Sequence, residues 1–199
     1  MSQYYRMPRF SLSAARLHTK LLLTLFLLAV LGGLGVAGLY YAERAGSSAR
    51  SAAQWLRGNE GDLEAREFLE PKSYRELLAL THDHAFSLPL MVFVLLHLVA
   101  LTPLPDWSKI ALYLCGFGST AGVLAAPWLV RYAGAEWTWL LVGCGLVLFA
   151  TMLLSVAVCL FDLWLLGPLV RRCGLGPPAP ADPLALGEAS RGERAAAPD

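Results

Sequence analysis

Long uninterrupted runs of apolar residues constrain this chain more than any other feature. The first run, residues 21–41, reads LLLTLFLLAVLGGLGVAGLYY and contains no charged side chain. An α-helix rises about 1.5 Å per residue, so this run spans about 30 Å, the thickness of a bilayer's hydrocarbon core. Further apolar runs follow at residues 85–102, 110–130 and 137–170. The pattern predicts an all-α integral membrane protein.

Composition agrees with this fold class and excludes several others. Of the 199 residues, 56% are hydrophobic and only 16% are charged, against about 25% charged in soluble domains. The net charge of +1 and the lack of a basic, aromatic-rich cluster argue against nucleic-acid binding. The four cysteines form no Cys-x-x-Cys pair, so neither covalent c-type haem nor a thiolate zinc site is expected, and no metal site is predicted.

We expect a four-transmembrane-helix bundle with one polar outer loop and a disordered, Pro- and Ala-rich C-terminal tail. The predicted segments are a cytoplasmic N-terminus over 1–18, helices over 19–42, 74–102, 108–131 and 137–166, the loop 43–73 and the tail 173–199. Within the loop, short helices are expected around 52–56 and 63–69, and Ser73-x-x-Glu76 resembles a capping box. A cleaved signal peptide is the alternative interpretation of the first run, which is long for an apolar h-region.

Charge around the first helix predicts the orientation. Its N-terminal flank carries basic residues and no acid, which favours both termini in the cytoplasm of a bacterial inner membrane. The total count of basic residues flanking the four predicted helices does not decide the matter, because each side holds seven. The expected partners are the lipid bilayer and other membrane subunits or further copies of the chain, with the loop 43–72 as the main water-exposed contact surface.

Three of the four histidines cluster around the second predicted helix, in Thr81-His82-Asp83-His84 and at His97. On a continuous helix His82 and His97 differ by about 22 Å in rise and about 60° in angle, so they share nearly one face. Phe86, Pro89 and Phe93 fill the stripe between them at spacings of three and four. This layout resembles the helices of membrane b-type cytochromes, in which one helix supplies a histidine to each of two stacked haems. The resemblance is one of pattern and implies haem b, with His82, His84 and His97 as candidate ligands.

If the helix begins near Tyr74, His82 and His84 point about 200° apart and cannot chelate one ion. If it begins at Asp83, then His82, Asp83 and Glu76 could gather a metal at the outer surface. The plain alternative is that these imidazoles bond to water, lipid or neighbouring loops.

A haem held by two histidines needs a second imidazole from another helix. The third and fourth predicted helices contain none, and His18, at the mouth of the first helix, is the remaining histidine of the chain. His97 could instead make a structural hydrogen bond, because an unpaired imidazole in an apolar span costs about 1–3 kcal/mol. The sequence narrowly favours this bond, with the candidate partners His18, Tyr113, Ser119, Thr120, Thr151, Ser155 or a ligand.

Other residues within the apolar runs have both structural and functional interpretations. Asp162 is the acid of the fourth predicted helix, where an ion pair with Lys20 or Lys109 is a plainer account than proton transfer. Pro89 removes the backbone hydrogen bond to the carbonyl of residue 85 and predicts a kink, either for packing or beside a pocket. Gly118-x-x-x-Gly122 matches a motif for close helix contact in lipid.

Function is only broadly constrained. We favour a non-catalytic membrane subunit or assembly component over a haem b- or quinone-binding subunit of an electron-transfer complex that uses the second helix. A small transporter using Asp162 and His97 is a third alternative, although the spans offer few polar groups to line a path. No Ser-His-Asp arrangement, P-loop or dinucleotide fingerprint is present, so enzymatic activity as a hydrolase or kinase is not predicted.

Overall fold

Five α-helices account for most of the chain in a computed structural model that describes residues 12–45, 48–60 and 68–166. They are α1 (Leu17–Ala45), α2 (Ala49–Arg57), α3 (Tyr74–Ala100), α4 (Asp106–Trp128) and α5 (Thr138–Phe161). Short 3₁₀ turns lie at Leu12–Ala14 and Ala135–Trp137, and π-helical turns extend α4 over Leu129–Ala133 and α5 over Asp162–Leu166. The helix predicted at 63–69 lies mostly outside the described residues, as does the whole tail 173–199.

Four of these helices are long and apolar enough to cross a membrane. The candidate spans are Leu17–Glu43, Tyr74–Ala100, Asp106–Ala133 and Ala135–Leu166, with 27 to 32 residues each. About 20 residues suffice for the hydrocarbon core, so each helix extends beyond it or tilts. No strand occurs in the described ranges. The all-α, four-span membrane fold predicted from the sequence is therefore confirmed.

Local sequence signals set the boundaries of α3 and α4. The Ser73 hydroxyl accepts the amide N–H of Glu76, and the Glu76 carboxylate accepts the amide N–H of Ser73 at 2.8 Å, which completes the capping box. At the other end, Pro103 and Pro105 cannot continue a helix, and α4 begins directly after Pro105. Helix α3 runs without a break through the half-buried Pro89.

Helices α3, α4 and α5 form the core of the bundle. Buried side chains of α3, among them Val92, Leu96 and Val99, pack in one cluster with Met152 and Val156 of α5. Helix α1 lies at the periphery, because only 11% of its apolar window is buried, compared with 28–33% for the other spans. Its contribution to the core includes Leu27 and Val30.

The glycines of α4 divide between two environments. A Cβ on Gly116 would meet Leu96 Cδ1 at 3.0 Å, and one on Gly122 would collide with the Cys144 side chain of α5. Both positions therefore let α4 approach its neighbours closely. Gly118 has open space where its Cβ would be. The predicted Gly118-x-x-x-Gly122 pair thus does not form one contact face within the described residues, because only Gly122 meets a neighbouring helix.

Polar contacts fasten the two ends of the bundle. At one end, which we call the Lys20 end, Lys20 Nζ donates to the carbonyl of Leu163 at 2.7 Å, so the start of α1 lies beside the end of α5. At the opposite, Trp128 end, Trp128 Nε1 donates to Thr81 Oγ1 at 2.8 Å. Arg57 on α2 donates to the carbonyl of Val130 at 3.0 Å. The short helix α2 also buries Ala52 and Leu56 and so packs onto the Trp128 end.

We predict that the two glycines respond differently to a large side chain. Gly122→Leu should lower the free energy of unfolding by about 1–3 kcal/mol, the usual cost of overpacking, because the new side chain meets Cys144. Gly118→Leu, the matched control, should change it by less than about 0.5 kcal/mol, because its side chain enters open space. Thermal unfolding of both variants in one detergent measures this, and equal losses would contradict the packing.

Candidate functional site

One face of α3 forms a continuous exposed stripe along the whole helix. Its members recur at spacings of three and four residues, and we call them the α3 stripe: Arg75, Ala79, His82, Phe86, Leu90, Phe93, His97 and Ala100. Phe86 is 79% exposed, Leu90 64% and Phe93 56%. The opposite face of α3 carries the buried residues of the core, so the stripe points away from the bundle.

His97 belongs to the stripe and does not face the bundle interior. It lies one helical turn before the end of α3, and its ring stacks on Phe93 with centroids 5.9 Å apart and planes 21° apart. Within the described ranges no hydrogen bond to His97 is formed. The sequence placed His97 correctly on the face of His82, but it did not indicate whether that face looks inwards or outwards.

Three of the five hydroxyls expected as partners for His97 bond instead within their own helices. Ser119 donates to the carbonyls of Cys115 and Gly116, Thr120 to that of Gly116, and Ser155 to that of Thr151. An internal hydrogen bond for His97 was the narrow preference from sequence, and within the part of the chain that the structure describes it is not made. The physical reason is the orientation of α3 about its own axis, which directs Leu95, Leu96 and Val99 inwards and His97 outwards.

His82 and His84 lie near the Trp128 end and are both exposed. His82 Nδ1 is 3.6 Å from Asp83 Oδ1, and these two side chains are 78% and 74% exposed. Because α3 already begins at Tyr74, His82 and His84 project about 200° apart and cannot chelate one ion. No group of three or more potential metal-ligating side chains occurs among the described residues.

His18 does not join the other histidines. It lies exposed at the second position of α1, and no ring contact or hydrogen bond between His18 and His97 is present in the described ranges. The structure therefore brings two candidate ligands, His82 and His97, onto one outward face and leaves His84 and His18 apart from it. Any cofactor held by this face would need groups from another molecule.

Asp162 is buried at the Lys20 end, with 1% of its surface exposed. Neither carboxylate oxygen accepts a hydrogen bond in the described ranges, and the Leu12 backbone N–H and the Lys20 ammonium interact with the carboxyl only electrostatically, beyond hydrogen-bond or ion-pair distance. The ion pair expected from sequence is not formed there. Lys20 donates to the carbonyl of Leu163, and Lys109 donates to that of Ala100 at 3.1 Å.

Two pockets of 390 Å³ each open on the bundle. The first lies between α1, α3 and α5 and is almost entirely apolar, with Tyr41 as its phenolic residue. The second includes Asp162 beside Pro103, Leu104 and Phe161. Neither of these two pockets is lined by His82, His84 or His97.

Sequence reasoning missed the outward direction of the α3 stripe and the contribution of Leu90, Ala79 and Ala100 to it. It also placed Pro89 in the stripe, but Pro89 is half-buried and Leu90 holds the exposed position. The three-and-four spacing was a usable signal for a face. The direction in which this face points could not be predicted, because α3 is apolar around most of its circumference. Its sequence therefore shows no contrast between a lipid-facing and a core-facing side. The carbonyl contacts of Arg57 and Lys20 were also missed, since sequence does not show which helix ends meet.

Comparison with known proteins gives one match. The model of the Aq_1264_TM family, described as a transmembrane helical domain, matches residues 46–168. The match covers α2 to α5 and leaves out α1. No curated protein and no solved structure matches the chain.

We predict that Asp162→Asn will change the free energy of unfolding by less than about 1 kcal/mol, because no hydrogen bond or ion pair within the described residues is removed and the side-chain volume is retained. Asp83→Asn, at an exposed acid, is the control for loss of a negative charge. Thermal unfolding in detergent is the measurement. A loss of about 3–5 kcal/mol specific to Asp162→Asn would show instead that the carboxylate belongs to a buried ion pair.

Proposed function

Because the chain belongs to the Aq_1264_TM family of transmembrane helical domains, we propose that this multi-pass membrane protein is a non-catalytic membrane component. It assembles with another membrane protein through the α3 stripe. The observation that carries the proposal is an exposed histidine, His97, on a face otherwise made largely of apolar and aromatic side chains.

The physical argument concerns hydrogen bonding in lipid. Hydrocarbon chains offer no partner to an imidazole, and ionisable residues within transmembrane segments usually pair with protein groups. The described residues provide His97 with a ring contact to Phe93 only. A protein surface laid on the stripe would supply the missing hydrogen bond.

The rest of the stripe suits a helix–helix contact. Phe86, Leu90 and Phe93 are large and exposed, and aromatic side chains contribute strongly to buried interfaces. Spacings of three and four residues align these side chains along one line of contact. By contrast, the large exposed residues of α1 between Leu21 and Leu39 are aliphatic, so lipid satisfies them.

The outer loop offers a second contact surface in this proposal. Its described part contains α2, whose N-terminal residues Ser48 to Arg50 are exposed while Ala52 and Leu56 dock on the bundle. We place the loop outside and both termini in the cytoplasm of a bacterial inner membrane. The contact of Lys20 with Leu163 supports a common side for the start of α1 and the end of α5.

A haem b-binding subunit is the second candidate function, and the shared face of His82 and His97 favours it. Each histidine would provide one axial ligand, and the partner would provide the other. Quinone binding has weaker support, because the apolar pocket beside Tyr41 contains no histidine. A transporter has the least support, because the pocket at Asp162 is not lined by His97.

Photo-crosslinking in native membranes tests the proposal. Benzoylphenylalanine at Leu90 should give a protein adduct of defined mass, because the stripe is covered by protein. The matched control is Leu154 on α5, which is 52% exposed against 64% for Leu90 and should give only lipid adducts. Lipid adducts alone at both positions would overturn the proposal.

Absorbance separates the two candidate functions. In protein purified from cells with adequate haem supply, a Soret band that shifts on reduction by dithionite and is lost in both His82→Gln and His97→Gln would support the cytochrome. Its absence would exclude haem and leave the assembly function standing.

A further inference from the structure

We propose that the partner seated on the α3 stripe is a second copy of this chain, related by a two-fold axis along the membrane normal. The inference rests on the proposed function, because it presupposes that the stripe is covered by protein. It goes further by naming the protein and the register in which the two copies meet.

A two-fold axis of this kind fixes the register without further assumptions. Every residue of the stripe lies at the same depth as its counterpart in the other copy, so His97 faces His97 and His82 faces His82. The midpoint between the two histidines falls between Pro89 and Leu90. Helices that cross there at the shallow angle usual in membranes stay in contact over the about 22 Å between the histidines.

Hydrogen-bond complementarity favours a second copy over an unrelated partner. A neutral imidazole carries one donor and one acceptor, so two imidazoles at equal depth are joined by one N–H···N hydrogen bond, in which one ring donates and the other accepts. An unrelated helix would need a matching polar group near each end of the stripe. A second copy supplies both groups by symmetry, and the site at His97 is incomplete without it.

Packing along the stripe agrees with this arrangement. Phe86 and Phe93 flank Leu90 on the exposed face and meet their counterparts across the axis, where aromatic pairs are favourable. Ala79 and Ala100, near the two ends, are small enough for the backbones to stay close. Arg75 lies at the polar end of α3, where its long side chain extends into water and avoids its counterpart.

Disulfide trapping tests the second copy. In a chain whose four native cysteines are replaced by alanine, Phe86→Cys and Phe93→Cys should each form a covalent dimer when membranes are oxidised with copper phenanthroline. The control is Leu114→Cys on α4, where the native side chain is 71% exposed and outside the stripe. Dimer yields no higher at the two stripe positions than at Leu114→Cys would overturn the proposal.

Substitution of His97 tests the hydrogen bond at the interface. His97→Leu should lower the trapped fraction of the Phe86→Cys protein in dilute membranes, by about three- to thirty-fold in association constant for one interhelical hydrogen bond in lipid. His97→Gln should restore it, because an amide also has a donor and an acceptor. Equal trapping in all three proteins would show that His97 does not join the copies.

The two proposals fail differently. An adduct at Leu90 with a protein of different mass, together with no disulfide dimer, would retain the assembly function and reject the second copy. No protein adduct and no dimer would reject both. A dimer without a Soret band would support a purely structural pair of copies.

Discussion

Hydrocarbon provides no hydrogen-bond partners, and this constraint governs the whole structure. Backbone N–H and C=O groups find their hydrogen-bond partners within four long helices. The hydroxyls of Ser119, Thr120 and Ser155 donate to carbonyls of their own helices. The indole N–H groups of Trp128 and Trp164 donate to threonine hydroxyls. His97 and Asp162 stand out because their polar atoms have no hydrogen-bond partner in the described ranges. Buried Asp162 lies inside the bundle, whereas His97 lies on its surface, where only another molecule can supply the bond.

The membrane fold was predictable, since the length of an apolar run and the thickness of a bilayer are directly comparable. The start of α3 at Tyr74 was also predictable, because Ser73 and Glu76 form a local capping box. The orientation of α3 about its own axis was not predictable. In membrane helices the lipid-facing side is as apolar as the core, so the sequence could group His82, Phe86, Phe93 and His97 on one face without showing where it points.

The candidate site shows the same division between local and tertiary information. Spacing along one helix correctly separated His82 from His84. Contacts between side chains of different helices could not be predicted, because they depend on how the helices pack. The expected ion pair of Asp162 with Lys20 or Lys109 is one example, since both lysines donate to backbone carbonyls instead. Likewise only Gly122 of the predicted glycine pair meets a neighbouring helix, together with Gly116.

The central claim is that protein covers the α3 stripe in the membrane, and oxygen accessibility of a spin label measures this most directly. Labels at Leu90→Cys and Leu154→Cys, in the background without native cysteines, compare the stripe with an exposed position of α5. The account predicts markedly lower collision with dissolved oxygen at Leu90 than at Leu154. In the isolated chain Leu90 is the more exposed of the two, at 64% against 52%. Equal or higher accessibility at Leu90 would therefore show that the stripe faces lipid and would contradict the account.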